Sequence, residues 1–196
     1  MIALTRMAQQ ANHPLPPGFQ IDEYCIEQQL SLGGFSIVYL ATDANGQRVA
    51  IKEYLPNTLA LRSEGKTAPQ ISEDHLPAFR YGLKCFFEEG RALAALSHPN
   101  VVRVLNFFRA NQTVYMVMEY ETGRTLQDLI QKNRPGVTEN FIRNVFTKML
   151  NGLREVHSHR LLHLDIKPSN IYMRNSQIPV LIDFGAARQT LACNTP

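Results

Sequence analysis

The spacing of apolar residues changes period twice along this chain, and that change restricts the possible folds more than any one motif does. From Tyr24 to Lys52 the β-rich runs SIVYLA and RVAIK stand between the turn signals LGG and DANGQ, with Asn45-Gly46 as a hairpin cue. Three antiparallel strands are predicted there. From Phe79 the period lengthens: Phe79, Leu83, Phe86, Phe87, Gly90, Leu93 and Leu96 recur at steps of three and four, predicting an amphipathic helix that His98-Pro99-Asn100 stops. The runs VRVLNFF and TVYMVMEY then return to strand character. After Gly123 a short helix is expected to about Lys132, followed by a longer one from Thr138, as N-cap, to about His157. That longer helix spreads Phe141, Ile142, Val145, Phe146, Met149, Leu150, Leu153 and Val156 over more than one face, so it calls for packing on two sides.

Around these elements the punctuation is clear. NHPLPPG, Asn12 to Gly18, holds three prolines in seven residues and reads as an extended linker, so residues 1–18 are expected to be flexible and folding to begin near Phe19. Glu53 to Pro77, with prolines at 56, 69 and 77, reads as a long connection. With 196 residues, 44% of them apolar and 19% charged, the chain can bury one core or two. A net charge of +3, scattered along the sequence, gives no reason to expect nucleic acid or a lipid surface as partner. Cys25, Cys85 and Cys193 are odd in number and lack C-x-x-C spacing, which implies reduced thiols rather than disulfides or a zinc site. No run approaches the ~18 apolar residues of a membrane span, and the start lacks a leader pattern, so a cytoplasmic location is expected. No internal repeat is present.

The chemistry concentrates in HLDIKPSN, His163 to Asn170. A carboxylate that takes or orients a hydroxyl proton, beside a cation that neutralises charge on the moving group, suits phosphoryl transfer, and Asp165 and Lys167 fit those two tasks. Asn170 offers a neutral oxygen to a cation such as Mg²⁺, which takes one or two protein oxygens and fills its remaining positions with water and phosphate. A second oxygen donor is then required. Asp183, at the end of the apolar run VLIDFG, supplies it, with Gly185 allowing a sharp turn.

Taken together these residues resemble the eukaryotic-type (Hanks-type) serine/threonine protein kinases, in a bacterial-looking form, and the resemblance spans roughly Tyr24 to Arg188. It implies an α+β, two-lobe fold: an N-lobe over residues 19–120, with a five-stranded antiparallel sheet and one helix, and a partial helical C-lobe over 121–196. It implies ATP and Mg²⁺ as cofactors and a protein Ser or Thr hydroxyl as acceptor, with no nucleic acid and no membrane span. Lys52, ending VAIK, matches the lysine that holds the α- and β-phosphates. Glu89, ten residues before the proline of HPN, matches its glutamate partner in preference to Glu88. LSLGGFSIVY resembles the glycine-rich loop, reading Ser31-x-Gly33-x-x-Ser36 with Gly34 inside it, Phe35 at the tip and Val38 over the adenine. VMEYETG resembles the hinge, with Met118 behind the adenine site and the backbone of Glu119 to Glu121 facing the base. Ala50 and Tyr172 complete the implied nucleotide pocket, and Asn170 and Asp183 the metal pair.

Two departures from the family pattern carry expectations of their own. Leu164 stands where many members have an arginine that meets an activation-loop phosphate, so activity is expected not to depend on that phosphorylation. After DFGAARQTLACNTP there is no A-P-E segment, so the long helix is expected to bare an apolar face, and the polypeptide to belong to a longer parent or to self-associate. Two rival functions remain: a kinase-like or pseudokinase module that binds nucleotide or a partner without efficient transfer, and a small-molecule phosphotransferase of related fold. The complete catalytic set argues against the first, whereas the missing substrate platform argues for it; Lys167, VAIK and HPN argue against the second.

Overall fold

The structure is a computed structural model and describes residues 12–189 apart from Ala186; Cys193 and the last residues of the activation segment lie outside the described residues. The strands β1 (Gln20–Ile21), β2 (Tyr24–Leu32), β3 (Ser36–Thr42), β4 (Arg48–Tyr54), β5 (Val104–Ala110) and β6 (Thr113–Glu119) form one sheet in the order β1-β2-β3-β4-β6-β5. Helix α1 (Leu76–Ala94) is inserted between β4 and β5. Beyond the sheet come β7 (Gly123–Thr125), α2 (Leu126–Lys132), α3 (Glu139–Ser158), β8 (Leu161–Leu162), β9 (Ile171–Arg174), β10 (Pro179–Leu181) and β11 (Arg188–Gln189). The sheet thus has six strands where five were expected. The extra one, β1, is a two-residue pairing of Gln20 and Ile21 with Cys25 and Tyr24, too short to show a period.

The chain divides into two compact units: the residues up to Lys84 with Phe108–Tyr115, and Cys85–Phe107 with the residues from Met116 onward. In the first, β2 and β3 pair from Cys25↔Thr42 to Leu32↔Ile37 with two register shifts, and β3 and β4 pair without interruption from Ser36↔Tyr54 to Thr42↔Arg48. The predicted hairpin is closed by Asp43, whose carboxylate accepts from the amides of Asn45 (2.9 Å) and Gln47 (2.8 Å), and Gly46 takes φ 78°.

Alternation along β4 buries Val49, Ile51 and Glu53 on one face and turns Lys52, itself buried, to the other. Glu53 is fully buried with Arg62. Its Oε1 accepts from Arg62 Nη1 (2.5 Å) and the Tyr115 hydroxyl (2.7 Å), and its Oε2 from the Tyr39 hydroxyl (2.7 Å) and Arg62 Nη2 (2.8 Å). Four donors satisfy one carboxylate, which is what makes a charge in this core tolerable. Burial and the adjacent carboxylate push both phenols far above their ordinary pKa, so Tyr39 and Tyr115 act as neutral donors.

The Pro-rich stretch is part of this core rather than a free linker from Asn12 on. Arg62 Nε donates to the His13 carbonyl (2.8 Å), the Leu15 amide donates to the Tyr39 hydroxyl (3.1 Å), and the Asn12 amide group donates to Leu55 and Ala60 carbonyls (3.3 and 3.2 Å). Asn12 and Leu15 are buried. An extended proline segment presents unpaired carbonyls, and a buried guanidinium needs acceptors, so each answers the other.

In the second unit β7, β9 and β10 form a sheet in the order β10-β9-β7, and β8 pairs with β11. The Thr138 hydroxyl caps α3 by accepting from the Phe141 amide (3.2 Å), as predicted. Val145, Met149, Gly152 and Val156 form its buried stripe. A Cβ on Gly152 would stand 3.1 Å from the Cβ of Asn100, so the helix lies close against the chain that leads to the Val101–Leu181 bridge. Ile142, Phe146 and Leu150 remain exposed along another face of α3.

Candidate active site

The second unit gathers Asp165, Lys167, Asn170 and Asp183 from one loop and one strand end. Lys167 Nζ lies 2.7 Å from Asp165 Oδ2, and Asn170 Nδ2 donates to both the Asp165 carbonyl and its Oδ2, each at 2.9 Å. The amide nitrogen of Asn170 is thereby committed, so its orientation presents the carbonyl oxygen as the remaining ligand. Hydrogen bonding from Lys167, and then its charge and Asn170, hold the Asp165 carboxyl below its usual range, while the negative field of Asp183 opposes them; Lys167 is raised chiefly by the same bond. Asp183 is close enough to act on both.

Backbone conformation shapes this cluster. Leu164 and Asp183 have positive φ, 62° and 59°, a region costly for residues with a Cβ and one that concentrates at functional sites. The sharp turn assigned to Gly185 therefore already has a left-handed residue at Asp183. His163, to which the sequence reading gave no role, joins the two halves. Its ring lies 3.1 Å from the Ile182 carbonyl through Nε2 and 3.3 Å from the Asp165 amide through Nδ1. A carbonyl only accepts and an amide N–H only donates, so the ring is neutral with its proton on Nε2. Buried and packed edge-on against Phe184, it ties the residue before Asp183 to Asp165 itself. The only sequence signal for it was its place at the head of the motif. The Ile182 amide adds a second tie, donating to the Asn170 carbonyl (2.9 Å).

The remaining predicted residues divide between the units. In the first, Ser31 and Val38 face each other across β2 and β3, and Val38 pairs in turn with Lys52 and Leu40 with Ala50. Phe35 is exposed at the tip, with Gly33 and Gly34 in the turn and Ser36 opening β3. The Gly33 amide donates to the Ser36 carbonyl (2.9 Å), and the Gly34 and Phe35 carbonyls accept from Asn57 and Leu55 (3.0 and 2.9 Å). In the second, Glu89 is half-buried on α1 while Glu88 is exposed, and Met118, Glu119 and Tyr172 are half-buried on β6 and β9. Glu121 has a role that the hinge reading did not give its side chain: both its oxygens accept from Arg174, and Arg174 Nη1 also donates to the Pro99 carbonyl (3.0 Å). Among the described residues no group of three or more His, Cys, Asp or Glu side chains could hold a metal ion.

Comparison with known proteins agrees with this geometry. The family described as Protein kinase domain matches residues 24–195. The mitogen-activated protein kinase kinase kinase ANP1 of Arabidopsis thaliana is 31% identical over 90% of this chain and 25% of its own length. A probable serine/threonine-protein kinase PknB of Lactococcus lactis is 31% identical over 85% of this chain and 24% of its own. Serine/threonine-protein kinase B of Synechocystis is 32% identical over 83% and 26%. The chain thus spans about a quarter of the length of these curated relatives. A solved structure titled PpkA-294 apo form superposes with a TM-score of 0.82 at 36% identity, covering 88% of this chain and 62% of that one. The sheet with its inserted helix, the Asp165 loop and the match over residues 24–195 lead to one conclusion: this chain belongs to the protein kinase domain family.

Proposed function

We propose that the protein transfers the γ-phosphoryl group of ATP to Ser or Thr hydroxyls of protein substrates. The observation that carries this reading is the Lys167–Asp165–Asn170 cluster with Asp183 in its field. Asp165, held ionised, accepts or orients the proton of the attacking hydroxyl, and Lys167 balances charge gathering on the transferred group. The family's cofactors fit the residues present: Asn170 and Asp183 offer only hard oxygen atoms, the donors that Mg²⁺ prefers, and the ion when bound would neutralise phosphate charge. Lys52 with Glu89 is assigned to the α- and β-phosphates. The turn from Ser31 to Ser36, with Gly33, Gly34 and Phe35, is assigned to covering them. Val38, Ala50, Met118, Tyr172 and the backbone of Glu119 to Glu121 are assigned to the adenine.

Leu164 presents no charge to an activation-loop phosphate, so phosphatase treatment should leave the transfer rate of the purified protein unchanged. A cytoplasmic location is inferred from an odd number of cysteines without C-x-x-C spacing, and a signalling role from membership of the kinase family; no described helix is long and apolar enough to cross a membrane.

Two measurements test the reading. ATP with Mg²⁺ should raise the melting temperature, and Lys52→Met or Asp183→Asn should abolish that rise. Labelled phosphate should pass from ATP to a generic protein acceptor and fail to do so in Asp165→Asn. A melting response without any transfer would reduce the protein to a nucleotide-binding module, and transfer to small alcohols alone would reassign the acceptor.

A further inference from the structure

Asn12 commits its whole side chain to one turn of the first unit. Its Nδ2 donates to the carbonyls of Leu55 (3.3 Å) and Ala60 (3.2 Å), and its Oδ1 accepts from the Arg62 amide (2.6 Å). Both amide hydrogens and the oxygen of the carboxamide are thereby bonded, at a residue only 4% exposed. The turn it clasps is the connection that leaves β4. There the Leu59 and Ala60 amides donate to the Pro56 carbonyl (3.1 and 2.9 Å), and the His13 amide adds a bond to the Arg62 carbonyl (3.0 Å).

On its other side the same connection grips the glycine-rich turn. The Leu55 amide donates to the Phe35 carbonyl (2.9 Å) and the Asn57 amide to the Gly34 carbonyl (3.0 Å). The β3–β4 ladder, which ends at Ser36↔Tyr54, is thus continued onto the tip of the turn. Leu55 is the join: it is buried, its carbonyl accepts from Asn12 and its amide donates to Phe35. Water would satisfy the carbonyls of an exposed tip, and glycines such as Gly33 and Gly34 lose more freedom than other residues when fixed, so tying this tip down works against chain entropy. Its effect is on direction. A trans peptide points its N–H opposite to its C=O, so holding the Gly34 carbonyl on Asn57 aims the Phe35 N–H the other way. Among the described residues that N–H has no acceptor. Backbone N–H groups of fixed direction are what such a turn offers to phosphate oxygens.

We propose that Asn12 is a positioning residue for the nucleotide: through Leu55 and Asn57 it holds the Phe35 N–H in the direction that receives a phosphate oxygen. The proposal rests on the assignment of the Ser31 to Ser36 turn to the phosphates of ATP.

Amide hydrogen exchange on the nucleotide-free full chain tests the link without ATP. In Asn12→Ala the Leu55 and Asn57 amides should exchange at least about fivefold faster relative to those at the centre of β4, a local opening rather than a global one. The Kd for ATP with Mg²⁺ should rise about three- to tenfold, the equivalent of about one hydrogen bond of preorganisation, and KM for ATP should follow it with kcat unchanged within about twofold. Asn57→Pro isolates the second anchor. Position 57 follows Pro56 in the turn closed by the Leu59 amide, where the fixed φ of proline is favoured, so the variant loses the N–H that holds Gly34 and should weaken ATP over the same range. Gly46→Ala, at φ 78° in the hairpin at the opposite end of β4, should lower the melting temperature through backbone strain and leave the affinity for ATP as in the parent. Should Asn12→Ala fail to fold, Asn12→Asp keeps the acceptor for the Arg62 amide, loses the bonds to Leu55 and Ala60, and asks the same question. Unchanged exchange at Leu55 and Asn57 in the Asn12 variant, unchanged ATP affinity in Asn57→Pro, or an equal loss of affinity in Gly46→Ala would each overturn the proposal. A parent chain that binds no ATP would overturn the reading on which it rests, an outcome told apart from the others because the exchange measurement involves no nucleotide.

Discussion

At Asp165 the local field decides what the residue can do. Its folded pKa is depressed, chiefly by Lys167, so its contribution is present above the ordinary carboxylate range and is lost only as pH falls through the lower folded value. Removing the ammonium in Lys167→Met should move the Asp165 titration upward, read from the carboxyl carbon chemical shift against pH; an unmoved titration would contradict the assignment of the shift to that bond. Arg62 shows the opposite regime. Fully buried against Glu53, it cannot be removed without stranding a carboxylate, so Arg62→Met should cost about 3–5 kcal/mol in urea denaturation, whereas adding Glu53→Leu should recover only part of that loss, because the buried Tyr39 and Tyr115 hydroxyls then lose their acceptor. The first of these residues was legible in the sequence because its motif is local. Arg62 was not: its partners Glu53, Tyr39 and His13 lie 9, 23 and 49 positions away, and nothing in LALRSEG marks a charge that will be enclosed.

Elements followed the same division between local and distant causes. Helices α1 and α3 could be read directly because their period and the Thr138 cap are short-range signals, and the hairpin at Asn45-Gly46 followed from its turn residues. Strands β1, β8 and β11, two residues each, have no period to detect and exist only because a partner is already in place. Glycines at close approaches were likewise invisible. Gly123 has φ 154°, and a Cβ there would run into the Met173 carbonyl where β7 pairs with β9. Gly123→Ala should therefore cost about 1–3 kcal/mol or more by thermal melting, against about 1 kcal/mol for loss of the α3 cap in Thr138→Ala. A smaller loss at Gly123 than at Thr138 would show that β7 yields more easily than its register implies.

For the molecule as a whole, the exposed face of α3 agrees with the expectation from its sequence. Ile142, Phe146 and Leu150 are 44%, 45% and 64% exposed and follow one another at four-residue steps. The chain should associate with itself as concentration rises, and Phe146→Glu with Leu150→Lys should lower the mass found by light scattering. The N-terminal stretch departs from its expectation in a way that matters for handling the protein. Asn12 and Leu15 are buried and bonded to Ala60, the Arg62 amide and the Tyr39 hydroxyl, which itself bonds Glu53 on the strand that carries Lys52, so a recombinant version trimmed to begin at Phe19, the start that the prolines suggest, would be cut inside its own folded core. Such a version should melt at least about 5 °C lower than one beginning at or ahead of Asn12, and should lose nucleotide-induced stabilisation along with it. The choice of first residue, made on every expression plasmid, thus becomes a choice about whether the lysine's strand keeps its backing.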